Sequence, residues 1–315
     1  MEFRVESLLA NRDRIGRRAV AIGNFDGVHL GHQAILRACV DAGRSLGIAP
    51  AALSFDPHPG AVVSSRGAPP RIQTRASQKR SLGDLGVEEL VNLRFDAAVA
   101  RLSPAEFVDE ALVEGVQAQC VVVGHGFRFG ASRAGDVAAL RSLGRGRFET
   151  IEVRTIEDAG ERISSSRIRQ ALNQGDLARV RGFLGRPYEI EGLVVHGDHR
   201  GRSIGFPTAN IDLDGVSALL RGVYAAHGFI EGEADSRRAA VNLGVRPTFG
   251  GEEPRLEAHF PGFAGDLYGR TVRLVFLARL RDEKRFDSLD ALKAQLAIDV
   301  QHALSCSEPD SRALA

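Results

Sequence analysis

The stretch Gly23-Asn24-Phe25-Asp26-Gly27-Val28-His29-Leu30-Gly31-His32 decides how the first half of this chain is interpreted. It follows the apolar, β-type run 19–22 and opens a segment with helical periodicity over residues 30–46. This order predicts a strand, a tight turn and a helix that begins with two imidazoles. Because a helix N-terminus offers unpaired N–H groups and a partial positive charge, we expect a phosphate site there.

The spacing of the two histidines strengthens this prediction. His29 and His32 are three residues apart, which places them on one side of a helical first turn. Gly31 lets a bulky ligand approach the backbone between them. A single histidine in this position is more often an ordinary surface residue, but two histidines around a glycine, after a Gly/Asn/Asp turn, favour a binding site.

The composition is that of a globular protein of about two domains. The chain has 315 residues, 43% of them apolar, and its 41 basic and 40 acidic side chains leave a net charge of +1. We therefore expect no nucleic-acid or membrane partner. Residues 1–6 include acidic side chains and no apolar run, so we expect no signal peptide, and the three scattered cysteines predict a reducing, cytoplasmic location. An oligomer is possible on these data.

Residues 1–185 alternate between β-type runs and helical patterns, which predicts a parallel sheet with helices on both faces. The β-type runs are 19–22, 51–55, 90–93, 120–123 and 148–153, and the helical patterns are 30–46, 75–85, 104–114 and 135–143. Ligands of such sheets bind at the carboxyl ends of the strands. The 23–32 turn and the 124–130 loop both follow strands, so we expect them to share a crevice.

From residue 186 the pattern changes to short β-type runs with frequent glycine, at 190–195, 222–230, 239–243, 255–260 and 271–280. This predicts a small antiparallel barrel. A closing helix follows, with Ser288 as its N-cap and an apolar stripe of Leu289, Leu292, Leu296 and Val300. We therefore expect domains at 1–185 and 186–305, and a tail at 306–315.

Two motifs in the second domain carry chemistry. In the stretch 197–210, Thr208 and Asn210 offer neutral oxygens that face one way on an extended chain, which suits Mg²⁺ beside nucleotide phosphates. Glu257 lies in a β-type run between apolar positions. An outward-facing strand residue is the commoner interpretation of Glu257, although a kinase that acts on a hydroxyl needs a carboxylate beside it.

Weaker motifs occur in the first domain. Ser164 or Ser165 caps a helix that also carries Arg167, a combination that can hold a triphosphate, although an ordinary capped helix is more common. The loop 124–130 lacks the third glycine of a dinucleotide fingerprint, and no Walker A string occurs in the chain. His58 follows the second predicted strand, and alone it is weak evidence.

Taken together, these motifs resemble a known family. The turn and its histidines are similar to the His-x-Gly-His signature of nucleotidylyltransferases, and the longer string 23–32 resembles the N-terminal half of bacterial bifunctional riboflavin kinase/FAD synthetases. The string 205–210, Gly-Phe-Pro-Thr-Ala-Asn, resembles the riboflavin kinase signature. The likeness runs from about residue 18 to 303, with its motifs in the same order.

The resemblance implies an α/β nucleotidyltransferase domain with a Rossmann-like parallel sheet, followed by an antiparallel β-barrel kinase domain with a C-terminal helix. It implies that ATP and Mg²⁺ are used to convert riboflavin to FMN and then FMN to FAD, with release of pyrophosphate. It assigns catalysis to Glu257, His29 and His32 and the metal to Thr208 and Asn210. It assigns substrate binding to Gly23, Asn24, Phe25, Asp26, Gly31, His58, Phe127, Arg128, Ser164, Ser165, Arg167, Gly197, Arg200, Arg202, Gly205, Phe206, Pro207, Asn242 and Arg281.

Two alternatives stay open at this stage. The first is an adenylyltransferase for another phosphorylated metabolite, which the 197–210 region argues against. The second is a monofunctional riboflavin kinase or a flavin-binding regulatory protein with an impaired first domain. Gly126 stands where the family usually carries Asp or Asn, which favours the second alternative, whereas the intact His29, His32 and Arg167 argue against it.

Overall fold

The structure is a computed structural model that describes residues 2–3, 16–197, 201, 204–218, 221–248 and 251–307, with the backbone alone at 2–3, 246–248 and 251–253. The chain divides into two compact units. The first, called the sheet unit, comprises Met1–Pro69 and Gln78–Ser164. The second, called the barrel unit, comprises Pro70–Ser77 and Ser165–Ala315.

The sheet unit is built on a six-stranded sheet with the order β1-β4-β3-β2-β5-β6, in which every observed pairing is parallel. Its strands are β1 Glu2–Phe3, β2 Arg18–Ile22, β3 Ala49–Asp56, β4 Glu89–Arg94, β5 Ala118–Gly124 and β6 Glu149–Val153. The predicted parallel sheet is therefore confirmed. A short hairpin follows, made of β7 Glu157–Asp158 and β8 Glu161–Arg162.

Alternate residues of the central strands pack into two separate apolar clusters. Val20 and Val121 belong to one cluster, whereas Ala19 and Val122 belong to the other. Because successive strand side chains point to opposite faces, this division means that both faces of the sheet are covered. The helices along the chain are α1 Leu30–Leu46, α2 Gly60–Val63, α3 Arg75–Asp84, α4 Pro104–Glu106, which continues as a π-helix over Phe107–Gly115, and α5 Val137–Gly144.

The barrel unit contains a closed antiparallel barrel with the order β10-β13-β12-β11-β14-β9. Its strands are β9 Glu189–Val195, β10 Ala209–Ile211, β11 Gly222–Ile230, β12 Arg237–Thr248, β13 Gly251–His259 and β14 Thr271–Arg281. The barrel is thus confirmed, and β10 is a strand that the pattern did not predict because it has only three residues. Helices α6 Ser165–Gln174 and α7 Leu177–Leu184 precede the barrel, and α8 Leu289–Ser305 follows it.

Helix α8 begins as predicted, because Ser288 Oγ accepts a hydrogen bond from the backbone N–H of Ala291 at 3.1 Å. The predicted stripe is wrong at Leu289, which is 53% exposed at the first helical position, while Leu292, Leu296 and Val300 line a cavity. Among the described residues, no helix is both long and apolar enough to cross a membrane.

Candidate functional site

The turn between β2 and α1 has an unusual backbone conformation. Phe25, Gly27 and Val28 have φ angles of 48°, 89° and 42°. The left-handed region is uncommon for residues other than glycine and is a true outlier for a β-branched one, so the surroundings must hold the turn in place. The side chains of Phe25 and Val28 are buried in the core of the sheet unit, and this packing holds the turn in its conformation.

Hydrogen bonds to backbone carbonyl groups fix the same turn. Ser54 Oγ and Gln78 Nε2 donate to the carbonyl oxygen of Asn24, at 3.3 Å and 3.0 Å. Gln33 Nε2 donates to the carbonyl oxygen of Val28 at 3.0 Å. Because these carbonyl groups are hydrogen-bonded, the turn is held in one conformation, as preorganised phosphate binding requires.

The two histidines lie together, as predicted. His29 is the N-cap of α1, and its Nδ1 accepts a hydrogen bond from the backbone N–H of His32 at 3.2 Å. The two imidazole rings stack, with centroids 3.7 Å apart and planes 16° from parallel. Because Nδ1 acts as the acceptor, neutral His29 carries its proton on Nε2.

Gly31 is required by this geometry. A Cβ atom at residue 31 would lie 3.1 Å from Cε1 and 3.2 Å from Nδ1 of the His29 ring, which is tighter than ordinary contact. Any side chain at this position therefore displaces the imidazole. The reason for the glycine is room for the histidine ring, in addition to room for a ligand.

The two loops that follow β3 and β5 carry further predicted residues. His58 Nδ1 accepts from the backbone N–H of Gly60 at 3.0 Å. Phe127 stacks on Phe129 with ring centroids 5.6 Å apart, and Arg128 Nη1 lies 3.8 Å from Asp136 Oδ2.

The backbone at Gly126 bears on the departure from the family pattern. Gly126 has a φ of 75°, a conformation that Asn and Asp also adopt more readily than other residues. The loop can therefore keep its shape with Gly, Asn or Asp at this position.

In the same loop, His125 Nδ1 lies 2.8 Å from Glu152 Oε1, and this hydrogen bond lowers the pKa of the Glu152 carboxyl. Arg141 also contacts Glu152, at 2.9 Å. This exposed group is a surface network beside the loop, and neither the sequence analysis nor the site geometry gives it a role.

The serine-rich motif straddles the division between the two units. Ser164 ends the sheet unit, whereas Ser165 and Arg167 belong to helix α6 in the barrel unit. The Arg167 guanidinium lies over the ring of Phe183, 4.6 Å from its centroid. The predicted helix start at Ser164 or Ser165 is confirmed, because α6 begins at Ser165.

In the barrel unit, three polar residues form a row across neighbouring strands. Glu257 on β13 is directly opposite Asn210 on β10 and directly opposite Asn242 on β12. Opposite residues of antiparallel strands have Cβ atoms about 5 Å apart on one face of the sheet, so the three side chains are immediate neighbours. The strand register thus brings together a carboxylate and two amides that are far apart in the sequence.

This row lines a cavity of about 370 Å³, a size in the range of small-molecule sites. Helix α8 and the segment before it add apolar residues to the lining, Phe286, Leu292, Leu296 and Val300, together with the charged residues Glu283, Lys284 and Asp299. The lining includes the predicted residues Phe206, Thr208, Asn210, Asn242, Glu257 and Arg281. We call it the acceptor cavity.

A second cavity, of about 700 Å³, lies beside the first, and the two share Gly201 and Thr208 in their linings. Its lining includes Pro207, Phe260, Phe263, Asp266 and Tyr268. The ring of Tyr268 stacks on that of His196 with centroids 4.1 Å apart. We call it the donor cavity, and the shared residues mark where ligands in the two cavities would meet.

The chemistry of Thr208 and Asn210 fits a hard cation. Both line the acceptor cavity, and Asn210 Oδ1 accepts one hydrogen bond, from Arg255 Nε at 2.8 Å, which leaves an amide oxygen a second lone pair. Such neutral oxygens suit Mg²⁺ that also binds phosphate oxygens. In the described part of the chain, no cluster of three His, Cys, Asp or Glu residues offers another metal site.

The glycine-rich loop before β10 is described in part. A Cβ atom on Gly197 would collide with the Asn210 amide, and one on Gly201 would collide with the carbonyl oxygen of Phe206, so both positions need glycine. Gly205 has a φ of 89°. The predicted residues Arg200 and Arg202 lie outside the described residues.

Sequence reasoning missed two polar residues of the barrel unit. Arg255 contacts Asn210 and lies 3.4 Å from Glu257 Oε1. Asp299, on α8, is 2% exposed and accepts two hydrogen bonds from Arg281. The signal for Asp299 was available, because an aspartate next to Val300 interrupts an otherwise apolar helix face.

Comparisons with known proteins agree with both units. A family model described as FAD synthetase matches residues 12–167, and one described as riboflavin kinase matches residues 184–307. A protein of Escherichia coli K12 named bifunctional riboflavin kinase/FMN adenylyltransferase is 40% identical over 281 residues, which are 89% of this chain and 90% of that protein. One of the same name from Bacillus subtilis is 33% identical over 93% of both chains.

The fold is also found in a solved structure. The crystal structure of a protein from Streptococcus pneumoniae, described as a macrolide-efflux protein, is 33% identical and has a TM-score of 0.79. The likeness covers 97% of this chain and 99% of that one.

A parallel-sheet unit with paired histidines at a helix start, joined in one chain to a barrel with a carboxylate–amide row, defines a two-site transferase that uses a nucleotide. The matches over both halves make the assignment specific. This chain belongs to the family of bifunctional riboflavin kinase/FMN adenylyltransferases, and it is an enzyme of flavin cofactor biosynthesis that uses ATP. The alternatives of another adenylyltransferase or a regulatory protein are not favoured.

Proposed function

We propose that each unit holds one of the two reactions. The barrel unit transfers the γ-phosphoryl group of ATP to the ribityl 5′-hydroxyl of riboflavin, which gives FMN and ADP. The sheet unit transfers AMP from a second ATP to FMN, which gives FAD and pyrophosphate. The observation that carries the proposal is the row of Asn210, Glu257 and Asn242 facing the acceptor cavity.

In the barrel unit, Glu257 accepts the proton of the attacking hydroxyl. Its carboxylate is central in the row and partly exposed, and the cavity that it lines also has the apolar residues Phe286, Leu292 and Leu296, which suit a flavin ring. As the hydroxyl oxygen bonds to the γ-phosphorus, the bond from that phosphorus to the bridging oxygen breaks and ADP leaves. Asn210 and Asn242 flank the carboxylate and orient the hydroxyl between them.

We place riboflavin in the acceptor cavity and ATP in the donor cavity. Phe286, Leu292 and Leu296 give the acceptor cavity its apolar wall, whereas the stacked His196 and Tyr268 beside the donor cavity offer a surface for an adenine ring. The transferred group then passes at Gly201 and Thr208, which both cavities share. Asn242 and Arg281 belong to the acceptor side.

Mg²⁺ is proposed with Thr208 and Asn210 as its protein ligands. The ion supplies neutralisation of the phosphate charge when it is bound with ATP. Arg255 donates to Asn210 Oδ1 and so orients that amide. The predicted contributions of Gly197, Arg200, Arg202 and Gly205 to phosphate binding remain proposals that rest on the sequence motif.

In the sheet unit, His29 and His32 donate to phosphate oxygens as charge develops on the α-phosphorus. The partial positive charge at the start of α1 adds to this stabilisation. The FMN phosphate is itself the nucleophile, so the step needs no covalent enzyme intermediate. We propose the turn residues Gly23, Asn24, Phe25, Asp26 and Gly31 and the loop residues His58, Phe127 and Arg128 as the rest of the substrate site in this unit. The predicted substrate-binding roles of Ser164, Ser165 and Arg167 are proposed on the sequence motif alone.

The domain boundaries at residues 185 and 305 also stay a proposal. All six barrel strands and α8 lie within 186–305. However, the segment 70–77 contacts the barrel, since Tyr188 Oη donates to the Ile72 carbonyl oxygen and Thr74 Oγ1 donates to the Glu191 carbonyl oxygen, both at 2.6 Å. Residues 186–315 expressed alone should make FMN, and they should unfold at a lower temperature than the barrel unit of the full chain.

A cytoplasmic location is proposed as well, because the chain has free cysteines that suit a reducing compartment. That the protein has no nucleic-acid or membrane partner stays a prediction from its charge and composition.

The test of the proposal is product analysis. Purified full-length protein is incubated with riboflavin, ATP and Mg²⁺, and the flavins are separated by chromatography. We expect FMN to appear first and FAD to follow, with ADP and pyrophosphate released in step. Accumulation of FMN alone would show a monofunctional kinase, and bound but unchanged riboflavin would show a carrier.

A further inference from the structure

Helix α8 carries a buried carboxylate that the proposed chemistry does not use. Asp299 is 2% exposed and lies on the helix face that also presents Leu292, Leu296 and Val300 to the acceptor cavity. Burying an ionised carboxylate is costly unless it is paired and hydrogen-bonded. Its presence on an apolar face therefore needs an explanation beyond packing.

Its partner is Arg281, the last residue of β14. Arg281 Nε donates to Asp299 Oδ1 at 2.9 Å and Arg281 Nη2 donates to Oδ2 at 2.6 Å, the two-bond arrangement that fixes the plane of a guanidinium. Gln295 Nε2 donates to the same carboxylate at 3.0 Å. Arg281 Nη1 donates to the carbonyl oxygen of Asp282 at 2.8 Å, so the guanidinium is held from two sides.

Stability alone does not account for this pair. Replacing a buried ion pair by apolar residues of similar size is often neutral or stabilising, so an apolar pair would dock the helix as well. Both residues line the acceptor cavity. A guanidinium has five N–H donors, and within the described part of the chain three of those of Arg281 bond to protein acceptors.

We infer that Asp299 is a positioning residue for binding of the flavin acceptor. It holds the Arg281 guanidinium rigidly at the cavity wall, where the two remaining N–H donors meet the polar edge of the flavin ring. This inference rests on the proposed kinase function of the barrel unit and assigns Asp299 to riboflavin recognition rather than to phosphoryl transfer.

The first test compares Asp299→Asn with Asp290→Asn in the full-length protein. Asp290 is an exposed aspartate on the same helix, which makes it a matched control. We expect Asp299→Asn to raise the KM for riboflavin and its dissociation constant, measured by flavin fluorescence, by about tenfold or more, since one partner of a buried charge pair is lost. The KM for ATP and kcat should stay within about threefold of wild type, and conversion of added FMN to FAD should be unchanged.

The second test separates positioning from simple docking of the helix. In the double variant Arg281→Met/Asp299→Leu, apolar packing replaces the ion pair, and we expect wild-type thermal stability with the same loss of riboflavin affinity. If instead the double variant binds riboflavin as wild type does, the pair only docks α8 and the inference is overturned. Should the double variant fail to fold, Asp299→Glu decides: it keeps the carboxylate and should recover most of the affinity lost in Asp299→Asn.

Two further outcomes are decisive. An Asp299→Asn protein that loses kcat while its riboflavin affinity is normal would contradict the inference, because the residue would then act on the chemical step. A wild-type protein that makes no FMN would refute the proposed function itself, which is a separate result.

Discussion

In the sheet unit, the candidate site is contiguous: ten consecutive residues, 23–32, form the turn, the helix start and the histidine pair. In the barrel unit, the row of Asn210, Asn242 and Glu257 comes from three strands, and only the register of the closed barrel brings these residues together. The first site therefore depends on local backbone geometry, whereas the second depends on correct pairing of the whole barrel.

This difference determines how each site responds to substitution. In the turn, adding a single Cβ atom at Gly31 displaces the His29 ring, because the glycine leaves just enough space for that ring. In the barrel, the backbone ladder sets the positions of the row, so one side chain can be changed while its neighbours keep theirs. Substitutions in the barrel should therefore report chemistry with less disturbance of geometry.

The largest effect is expected for Glu257→Gln. The substitution keeps size and hydrogen-bonding reach but removes the proton acceptor, so FMN formation should fall about 10²–10⁴-fold. Conversion of added FMN to FAD should continue at the wild-type rate, as followed by chromatography. Asp235→Asn, in an exposed turn of the barrel unit, is the control. Near-normal FMN synthesis by Glu257→Gln would make Glu257 an ordinary strand residue and Asp266 the next candidate base.

A smaller loss is expected for His29→Asn. Asparagine is a good N-cap, so the start of α1 should be kept while the imidazole is removed. FAD formation from FMN should fall about 10²–10³-fold, the usual cost of losing one preorganised donor, with FMN synthesis unchanged. His32→Ala should behave in the same way, and His302→Asn on α8 is the control. If both activities fell together, the assignment of one reaction to each unit would fail.

Gly31→Ala should have a milder effect in the sheet unit. The added Cβ pushes on the His29 ring by a few tenths of an ångström, and we expect FAD formation to fall about tenfold without unfolding. Gly83→Ala, in α3, is a matched control because its new Cβ meets nothing within 4 Å. A fully active Gly31→Ala protein would show that the position of the imidazole is not critical.

The sequence predicted the sheet unit more completely than the barrel site. The turn at residues 23–32 is local, so the order of strand, glycine, histidine and helix determines its structure. Helix α1 has the predicted bounds, and the β-type run at 120–123 lies within strand β5. What the pattern could not show is the strain at Phe25 and Val28, because it arises from packing against the core.

In the barrel unit, the pattern predicted the strands but not their partners. Nothing in the spacing of residues 210, 242 and 257 indicates that the first two are each directly opposite residue 257, since register depends on contacts between distant segments. The three-residue strand β10 gives too short a signal to detect. The sequence shows Asp299 as a charge beside Val300 but not its pairing with Arg281, because Arg281 lies on a strand and the pair forms only once α8 has docked.

The smallest expected effect concerns the cysteines and reports whether the core of the sheet unit is closed. Burial raises the pKa of Cys39 to about 12 and that of Cys120 to about 11, so both thiols should stay neutral and unreactive at pH 8. Cys306, which is partly exposed, should react first with an aromatic disulfide reagent. Three fast-reacting thiols in the native protein, followed by absorbance, would show that the core of the sheet unit is open.

The central claim is that two independent sites act in sequence, and mixing two inactive variants tests it most directly. Glu257→Gln alone should form no FAD from riboflavin, and His29→Asn alone should stop at FMN. An equimolar mixture of the two proteins with riboflavin, ATP and Mg²⁺ should restore FAD, because FMN released by one protein is used by the other. A mixture that makes FMN but no FAD, while Glu257→Gln still converts added FMN, would mean that FMN does not pass freely between sites. A mixture that makes neither product would contradict the account.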